Sequence, residues 1–197
     1  MLKSLLVIMM SSVLVNNYVF SRYMGFDRMF DTSKKAKKVG SFGLLVTVVM
    51  VLAALVTWPL NAFVMEPLGL NFLQTVCFVF IIAGISFLAE IVIKKCFPAL
   101  YTELGNVWPL ILCNSAVLGV TLSNISAGYG FGESVFSSLG CGLGFLLAMW
   151  MFGGVKDRLE IAVPPKYFKG IPILLISAFI VSLAFYGFGG IIETIFA

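Results

Sequence analysis

Polar side chains in the middle of two long apolar stretches are the residues of this sequence that could do chemistry. They are Asn16 and Asn17 in residues 13–20, and Cys113, Asn114 and Ser115 in residues 107–122. Polar groups at bilayer depth are costly, so they usually face a partner, a cavity or a cofactor. Two interpretations remain open: the asparagines line a path for an ion, or they join helices by hydrogen bonds.

Glu90 is a further candidate, because it is an acid inside an apolar stretch that ends at Lys94. Lys94 lies four residues later and on the same face of a helix, where a carboxylate and an ammonium group form an ion pair. A carboxylate in this position also suits the mouth of a cation path. We expect Glu90 to belong to such a path, with the simple ion pair as the alternative.

Composition identifies the class of protein that must position these residues. The chain has 197 residues, of which 60% are hydrophobic and 11% charged, and its mean hydropathy is +1.07. This balance indicates an integral membrane protein, and apolar stretches of about 20 residues favour helices over the shorter strands of a barrel. The sequence has no histidine, no nucleotide-binding glycine motif and no CxxC pair, and its basic residues lie between the apolar stretches. Binding to nucleic acid is therefore not expected.

Six apolar stretches are long enough to cross a bilayer: residues 5–23, 39–58, 71–93, 107–125, 134–155 and 170–190. Polar side chains compete for backbone hydrogen bonds, so we expect the first and fourth helices to break or kink. We expect the second helix to end at Pro59 and the fifth to make close contacts through three glycines, Gly140, Gly142 and Gly144. Residues 1–20 lack a small-residue cleavage site and are expected to remain as the first helix.

The basic residues predict the orientation in the membrane. Twelve of the 13 lysines and arginines lie at the end of span one or in the connections after spans one, three and five, and only Lys3 lies on the other side. Because cytoplasmic loops are enriched in lysine and arginine, both termini should be extracytoplasmic in a bacterial or archaeal inner membrane.

Six spans divide into two sets of three, which must insert in opposite senses. The sequence therefore predicts one all-α membrane domain over residues 1–197, with an inverted repeat of about 1–98 and 99–197. In this arrangement the broken first and fourth helices meet near the midplane, as in many transport proteins.

Short motifs along almost the whole chain resemble those of the RnfA/NqrE family, and more closely its RnfA branch. These motifs are Leu14-Val-Asn-Asn17, Gly25, Ser33-Lys-Lys35, Pro67-Leu-Gly69, Pro98-Ala-Leu-Tyr101, Pro109-Leu-Ile111, Asn114, Ala116-Val-Leu-Gly119 and Phe168-Lys-Gly170. The resemblance implies a membrane subunit of a translocase, the Rnf complex, which couples electron transfer between ferredoxin and NAD to Na⁺ or H⁺ transport. It implies as partners a paralogous six-span subunit, together with further subunits that carry flavin and iron–sulfur centres.

The family also implies a 2Fe–2S cluster shared with the paralogue, held by two cysteines from each chain. The family pattern Gly-Leu-Cys-Pro is Gly25-Phe-Asp-Arg28 in this sequence, and Thr-Asn-Cys-Ala is Cys113-Asn-Ser-Ala116. Asp27 and Ser115 therefore stand at the cysteine positions, and Cys113 is two residues away from one of them. Oxygen ligands suit iron–sulfur centres poorly. The alternatives are a cluster-free scaffold or cation-path subunit of such a complex, or a small transporter that acts alone.

Overall fold

The computed structural model describes residues 2–14, 17–25, 36–96, 98, 101–102, 114–162 and 164–196. These ranges contain α-helices joined by turns and short 3₁₀ or π segments, and no β-strand occurs within them. The principal helices are α1 (Leu2–Leu14), α2 (Ala36–Leu60), α3 (Gln74–Cys96), α4 (Ser115–Ser126), α5 (Phe131–Ile161) and α6 (Ile171–Phe196).

Three helical segments of the described chain are long and apolar enough to cross a membrane. They are Gly40–Met65, Asn71–Cys96 and Phe131–Leu159, and the shorter helical segments Ser115–Ser126 and Ile171–Gly187 are also apolar. The helical, apolar architecture agrees with the predicted all-α integral membrane class.

The predicted first span, residues 5–23, is interrupted, as expected. Helix α1 ends at Leu14, and residues 18–22 form turns instead of further helix. Asn17 lies at this change of structure, where its side chain offers the backbone an alternative to helical hydrogen bonds. The break expected in the first span is therefore present, although Asn16 lies outside the described residues.

Pro59 does not end the second span, contrary to the prediction. Helix α2 continues through Pro59 to Leu60 and then becomes a π-helical turn, Asn61–Met65. Proline removes one helical hydrogen bond, but local π adjustments restore partners for the backbone groups of membrane helices. The side chain of Gln74 donates to Asn61 Oδ1 over 3.1 Å and links this turn to the start of α3.

Helices α5 and α6 both extend beyond the predicted spans. Helix α5 reaches Ile161 instead of residue 155, and α6 reaches Phe196 instead of residue 190. Basic side chains can reach water from the end of a membrane helix, so Lys156 and Arg158 do not stop α5. The strongest helix-breaking signal after α5 is Pro164-Pro165, which follows its observed end.

Helix α5 packs against α1 and α2 and forms the centre of the described bundle. A Cβ atom at Gly140 would lie 2.6 Å from the carbonyl oxygen of Met9, and one at Gly142 would lie 2.9 Å from Thr47 Cα. These glycines therefore allow the helix backbones to approach closely, as predicted. Phe145 and Phe152 on α5 are fully buried in the apolar core.

Candidate functional site at two helix breaks

Asn17 joins the first break to the rest of the bundle. Its side-chain amide donates to the carbonyl oxygens of Val13 (3.2 Å) and Gly144 (2.9 Å). Its side-chain oxygen accepts from the backbone N–H groups of Val19 (3.0 Å) and Phe20 (3.4 Å). Backbone groups without a partner are costly in hydrocarbon, so a buried asparagine that supplies four contacts stabilises the end of α1.

The chain after Asn17 folds back in turns instead of continuing across the bundle. The N–H of Ser21 donates to the Asn17 carbonyl over 2.8 Å, and the N–H of Met24 donates to the Tyr18 carbonyl over 2.9 Å. Tyr23 has φ +55° and Gly25 has φ +72°, both in the left-handed region. Residues 17–25 are named the fold-back segment below.

Asn114 is the residue directly before helix α4. Its backbone is extended, with φ −77° and ψ 112°, and its Oδ1 accepts from the N–H of Ala116 over 3.0 Å. This is the geometry of an N-cap, which satisfies an N–H group at the start of a helix. The side chain is buried, yet its Nδ2 has no hydrogen-bond partner in the described structure. Asn114 therefore has a donor to offer in addition to its capping role.

The fold-back segment after α1 meets the start of α4 at Gly25 and Ser115. The end of α1 and the start of α4 are named the two breaks below, and their meeting point is named the break contact. The N–H of Gly25 donates to Ser115 Oγ over 2.8 Å. A Cβ at Gly25 would lie 2.9 Å from both Asn114 Oδ1 and a ring carbon of Phe145, so the contact requires glycine. The fold-back segment thus reaches the start of α4 two residues before Asp27 in the sequence.

The described donors do not fit a four-thiolate cluster at this contact. Ser115 presents a hydroxyl group there, and this oxygen already accepts from Gly25. Asp27 and Cys113 lie outside the described residues. The described free cysteines are Cys77, Cys96 and Cys141, and no group of three or more His, Cys, Asp and Glu side chains suited to a metal occurs in the described ranges.

Glu90 lies apart from the two breaks, near the end of α3. Its carboxylate accepts from the hydroxyl of Tyr101 over 3.4 Å, and the ammonium group of Lys94 lies 5.5 Å from the centre of the same ring. No Glu90–Lys94 ion pair is found within the part of the chain that the structure describes. Tyr101 therefore contacts both charged groups.

Arg22 is a site residue that sequence reasoning missed. It was counted among the cytoplasmic cations, but its Nη1 donates to Ser123 Oγ on α4 over 2.7 Å. Its guanidinium carbon also lies 5.0 Å from the centre of the Tyr18 ring. The available signal was its position only five residues after the predicted break at Asn17.

Comparison with known proteins agrees with this architecture. The family model described as "Rnf-Nqr subunit, membrane protein" matches residues 5–192. The chain is 43% identical over 187 residues to the A subunit of the Na⁺-translocating ferredoxin:NAD⁺ oxidoreductase complex of Acetobacterium woodii, covering 95% of this chain and 97% of the relative. It is 40% identical over 191 residues to the A subunit of the ion-translocating oxidoreductase complex of Syntrophotalea carbinolica, covering 97% and 99%.

A third relative is the A subunit of the ion-translocating oxidoreductase complex of Sodalis glossinidius, which is 39% identical over 95% of this chain and 97% of its own length. The family match therefore extends across both helix breaks and α5, and not only over one apolar stretch. The chain belongs to the Rnf-Nqr family of membrane subunits.

Proposed function

We propose that this chain is the RnfA-type subunit of an Rnf translocase, which couples electron transfer between ferredoxin and NAD to transport of Na⁺ or H⁺. The names of its relatives support this function, and their similarity covers nearly the full chain. The structural observation that carries the proposal is the 2.8 Å contact between Gly25 and Ser115. This contact brings the fold-back segment to the start of α4, where the family places its shared redox centre.

The proposal includes a six-span topology with two inverted three-helix repeats and both termini outside an inner membrane. With Arg22 assigned to the bundle, the remaining basic residues still lie mainly in the three connections proposed to be cytoplasmic. The backbone carbonyl of Tyr129, in the turn after α4, accepts a hydrogen bond from Trp58 Nε1 over 2.8 Å. The end of α2 therefore lies beside that turn. In this topology the turn and the end of α2 are both extracytoplasmic.

The partner in this proposal is a second, paralogous six-span subunit, together with subunits that bind flavin and iron–sulfur centres. The broken helices of the two paralogues would line a common path at the midplane. Within this chain, Asn114 is the asparagine best suited to the path, because its buried Nδ2 has no partner in the described structure. Asn17 supports the path by fixing the backbone around it.

We further propose that the Asp27–Ser115 position binds a cation or water and does not hold a four-thiolate cluster. The carboxylate of Asp27 and the hydroxyl of Ser115 offer hard oxygen ligands, which suit Na⁺ better than iron–sulfur centres. Asp27 follows Gly25 by two residues, so its carboxylate is our candidate acceptor for the unpartnered Asn114 amide. A carboxylate that is removed from water needs such a donor or a bound cation to offset its lost hydration.

Purification of the native complex tests both proposals. We expect the chain to copurify with its paralogue and with flavin-bearing subunits, and reduced ferredoxin with NAD⁺ should drive cation uptake into proteoliposomes. Recovery of an active transporter made of this chain alone would contradict the assignment to a complex.

Iron and acid-labile sulfide analysis addresses the cluster separately. We expect the subunit pair, isolated from the other subunits, to contain less than one 2Fe–2S equivalent. A full equivalent with ligands from this chain would overturn the proposal for Asp27 and Ser115 without affecting the assignment to the translocase.

A further inference from the structure

A small polar cavity lies beside the fold-back segment, in contrast to the apolar core around it. Its volume is about 90 Å³, which can accommodate several water molecules. Its polar lining comes from α1, the fold-back segment, α4 and α5: Ser12, Tyr18, Arg22, Ser123, Asn124 and Ser137. A cavity lined by hydroxyl, amide and guanidinium groups inside a membrane bundle favours water over lipid.

The cavity lies toward the turn Ala127–Tyr129 relative to the two helix breaks. Ser123 and Asn124 are in the last turns of α4, about two turns beyond its start at Ser115. Asn124 is fixed there by bonds from its Nδ2 to the Ser134 carbonyl (3.1 Å) and to Ser138 Oγ (2.9 Å). The cavity is therefore a space between the break contact and one face of the membrane.

Arg22, which is exposed, places a full positive charge at the edge of this cavity. The hydroxyl of Ser123 accepts from the guanidinium group at 2.7 Å, and the Tyr18 ring packs at 5.0 Å. No carboxylate is paired with Arg22 among the residues that the structure describes. Arginine keeps its proton under all ordinary conditions, so the charge is permanent. Water in the cavity can hydrate this charge.

We propose that this cavity is a hydrated vestibule of the ion path and that Arg22 is its cation barrier. The inference rests on the ion-translocating function proposed above and adds a role for one residue. A fixed positive charge at the edge of a small polar cavity repels cations, and arginine excludes cations from other membrane pores in this way. Passive cations are thereby kept from the break contact when no electrons are being transferred.

Passive cation leak in the assembled complex tests this role. The purified complex is placed in proteoliposomes without redox substrates, and Na⁺ or H⁺ entry is measured under an imposed membrane potential. We expect Arg22→Gln to raise cation entry about tenfold, because the substitution removes one positive charge that repels the cation at close range. Arg22→Lys should remain within about twofold of the wild type, because it keeps the charge. Arg158→Gln removes an exposed arginine outside the cavity and should leave the leak unchanged.

A second variant covers the case in which Arg22→Gln does not assemble. Ser123→Ala keeps the charge but removes the hydroxyl that holds the guanidinium group, and we expect a smaller rise, about two- to threefold. An unchanged leak in assembled Arg22→Gln or Ser123→Ala would refute the barrier. A leak in Arg22→Gln no larger than that in Arg22→Lys would also refute it. Absence of redox-driven uptake by the wild type would instead refute the proposed function.

Discussion

The side-chain amide of Asn17 donates to the backbone carbonyl of Gly144 over 2.9 Å. The two residues are 127 positions apart, and this bond joins the end of α1 to the middle of the central helix α5. The contact requires a small residue at 144, since a Cβ there would lie 3.2 Å from the donating nitrogen and 2.9 Å from the Val13 carbonyl oxygen. The end of α1 is thus fixed by the polar side chain of Asn17, and the missing side chain at Gly144 leaves the space that this bond needs.

Asn17→Ala is expected to destabilise the complex markedly. The substitution leaves the N–H groups of Val19 and Phe20 and the carbonyl of Val13 without their side-chain partner in a buried site. We expect a loss of about 2–4 kcal/mol in the free energy of unfolding, measured as a lower midpoint temperature in detergent. Asn71→Ala, at an exposed asparagine beside α3, is the matched control. Equal midpoints for the two variants would show that the Asn17 bonds contribute nothing.

Gly144→Ala tests the close approach of the helices, with Gly153→Ala as its control on the same helix. A methyl group at 144 would meet backbone atoms of α1, whereas one at 153 would meet nothing within 4 Å. We expect Gly144→Ala to lower the free energy of unfolding by about 1–3 kcal/mol, because the backbones must separate. Gly153→Ala should be neutral or stabilising by up to about 1 kcal/mol, because alanine favours helix. The reverse order of stabilities would contradict the packing of α1 on α5.

Reporter fusions test the proposed orientation. A phosphatase fused after Ala197 should be active outside the cytoplasm, and one fused after Lys38 should be inactive. The reason is the concentration of basic residues in the three connections proposed to be cytoplasmic. A green fluorescent protein fused at the same two positions should give the opposite pattern. If the Lys38 phosphatase is active and the Ala197 phosphatase is not, the inverted topology must be rejected.

Glu90→Gln should reduce redox-driven cation transport sharply while leaving assembly intact. A partly exposed carboxylate–hydroxyl contact contributes little to stability, about 1 kcal/mol or less, so a structural role alone predicts almost no effect. Tyr101→Phe removes the hydroxyl that donates to this carboxylate and should have a smaller effect on transport. Glu66→Gln, in the connection between α2 and α3, controls for the loss of a charge. If Glu90→Gln transports cations at the wild-type rate, Glu90 is not part of the cation path and has only its local contacts.

Restoring the family pattern tests the site at the two breaks. The double substitution Asp27→Cys and Ser115→Cys supplies the thiolates that iron–sulfur clusters use. We expect the purified complex to gain iron and the visible absorption of a 2Fe–2S centre, relative to the native complex. The single substitution Ser115→Cys is the control and should gain neither. A native complex that already has this cluster, with ligands from this chain, would show that Cys113 or the motif alignment must be reconsidered.

Apolar length and composition were enough to predict the helical membrane class, because twenty-residue apolar helices are dictated by bilayer thickness. Asn17 also indicated where the regular helix α1 would give way to turns, since asparagine side chains compete with backbone hydrogen bonds. Asn114 lies at the start of α4, and the residues before it are outside the described ranges. Helix ends that depend on contacts between residues distant in the sequence were predicted less well. The helix through Pro59 depends on a π turn fixed partly by Gln74, and no local pattern contains that contact.

The candidate site was predictable in its residue types but not in its geometry. The sequence singled out Ser115, and its contact with Gly25 depends on a fold-back segment that no periodicity reveals. Arg22 was assigned to a loop because a charge after an apolar stretch usually marks the end of a span. Its contact with Ser123 joins residues 101 positions apart, so only the tertiary structure could bring it against α4.

The glycines of α5 have a mechanical consequence. Gly140 and Gly144 engage the backbone of α1, while Gly142 engages Thr47 on α2, so α5 is held on two faces at backbone distance. Rotation of α5 about its own axis would drive these backbones into one another. We therefore expect a change of shape at the break contact to leave α1, α2 and α5 together. The displacement is expected where α4 meets the fold-back segment through the hydroxyl groups of Ser115 and Ser123.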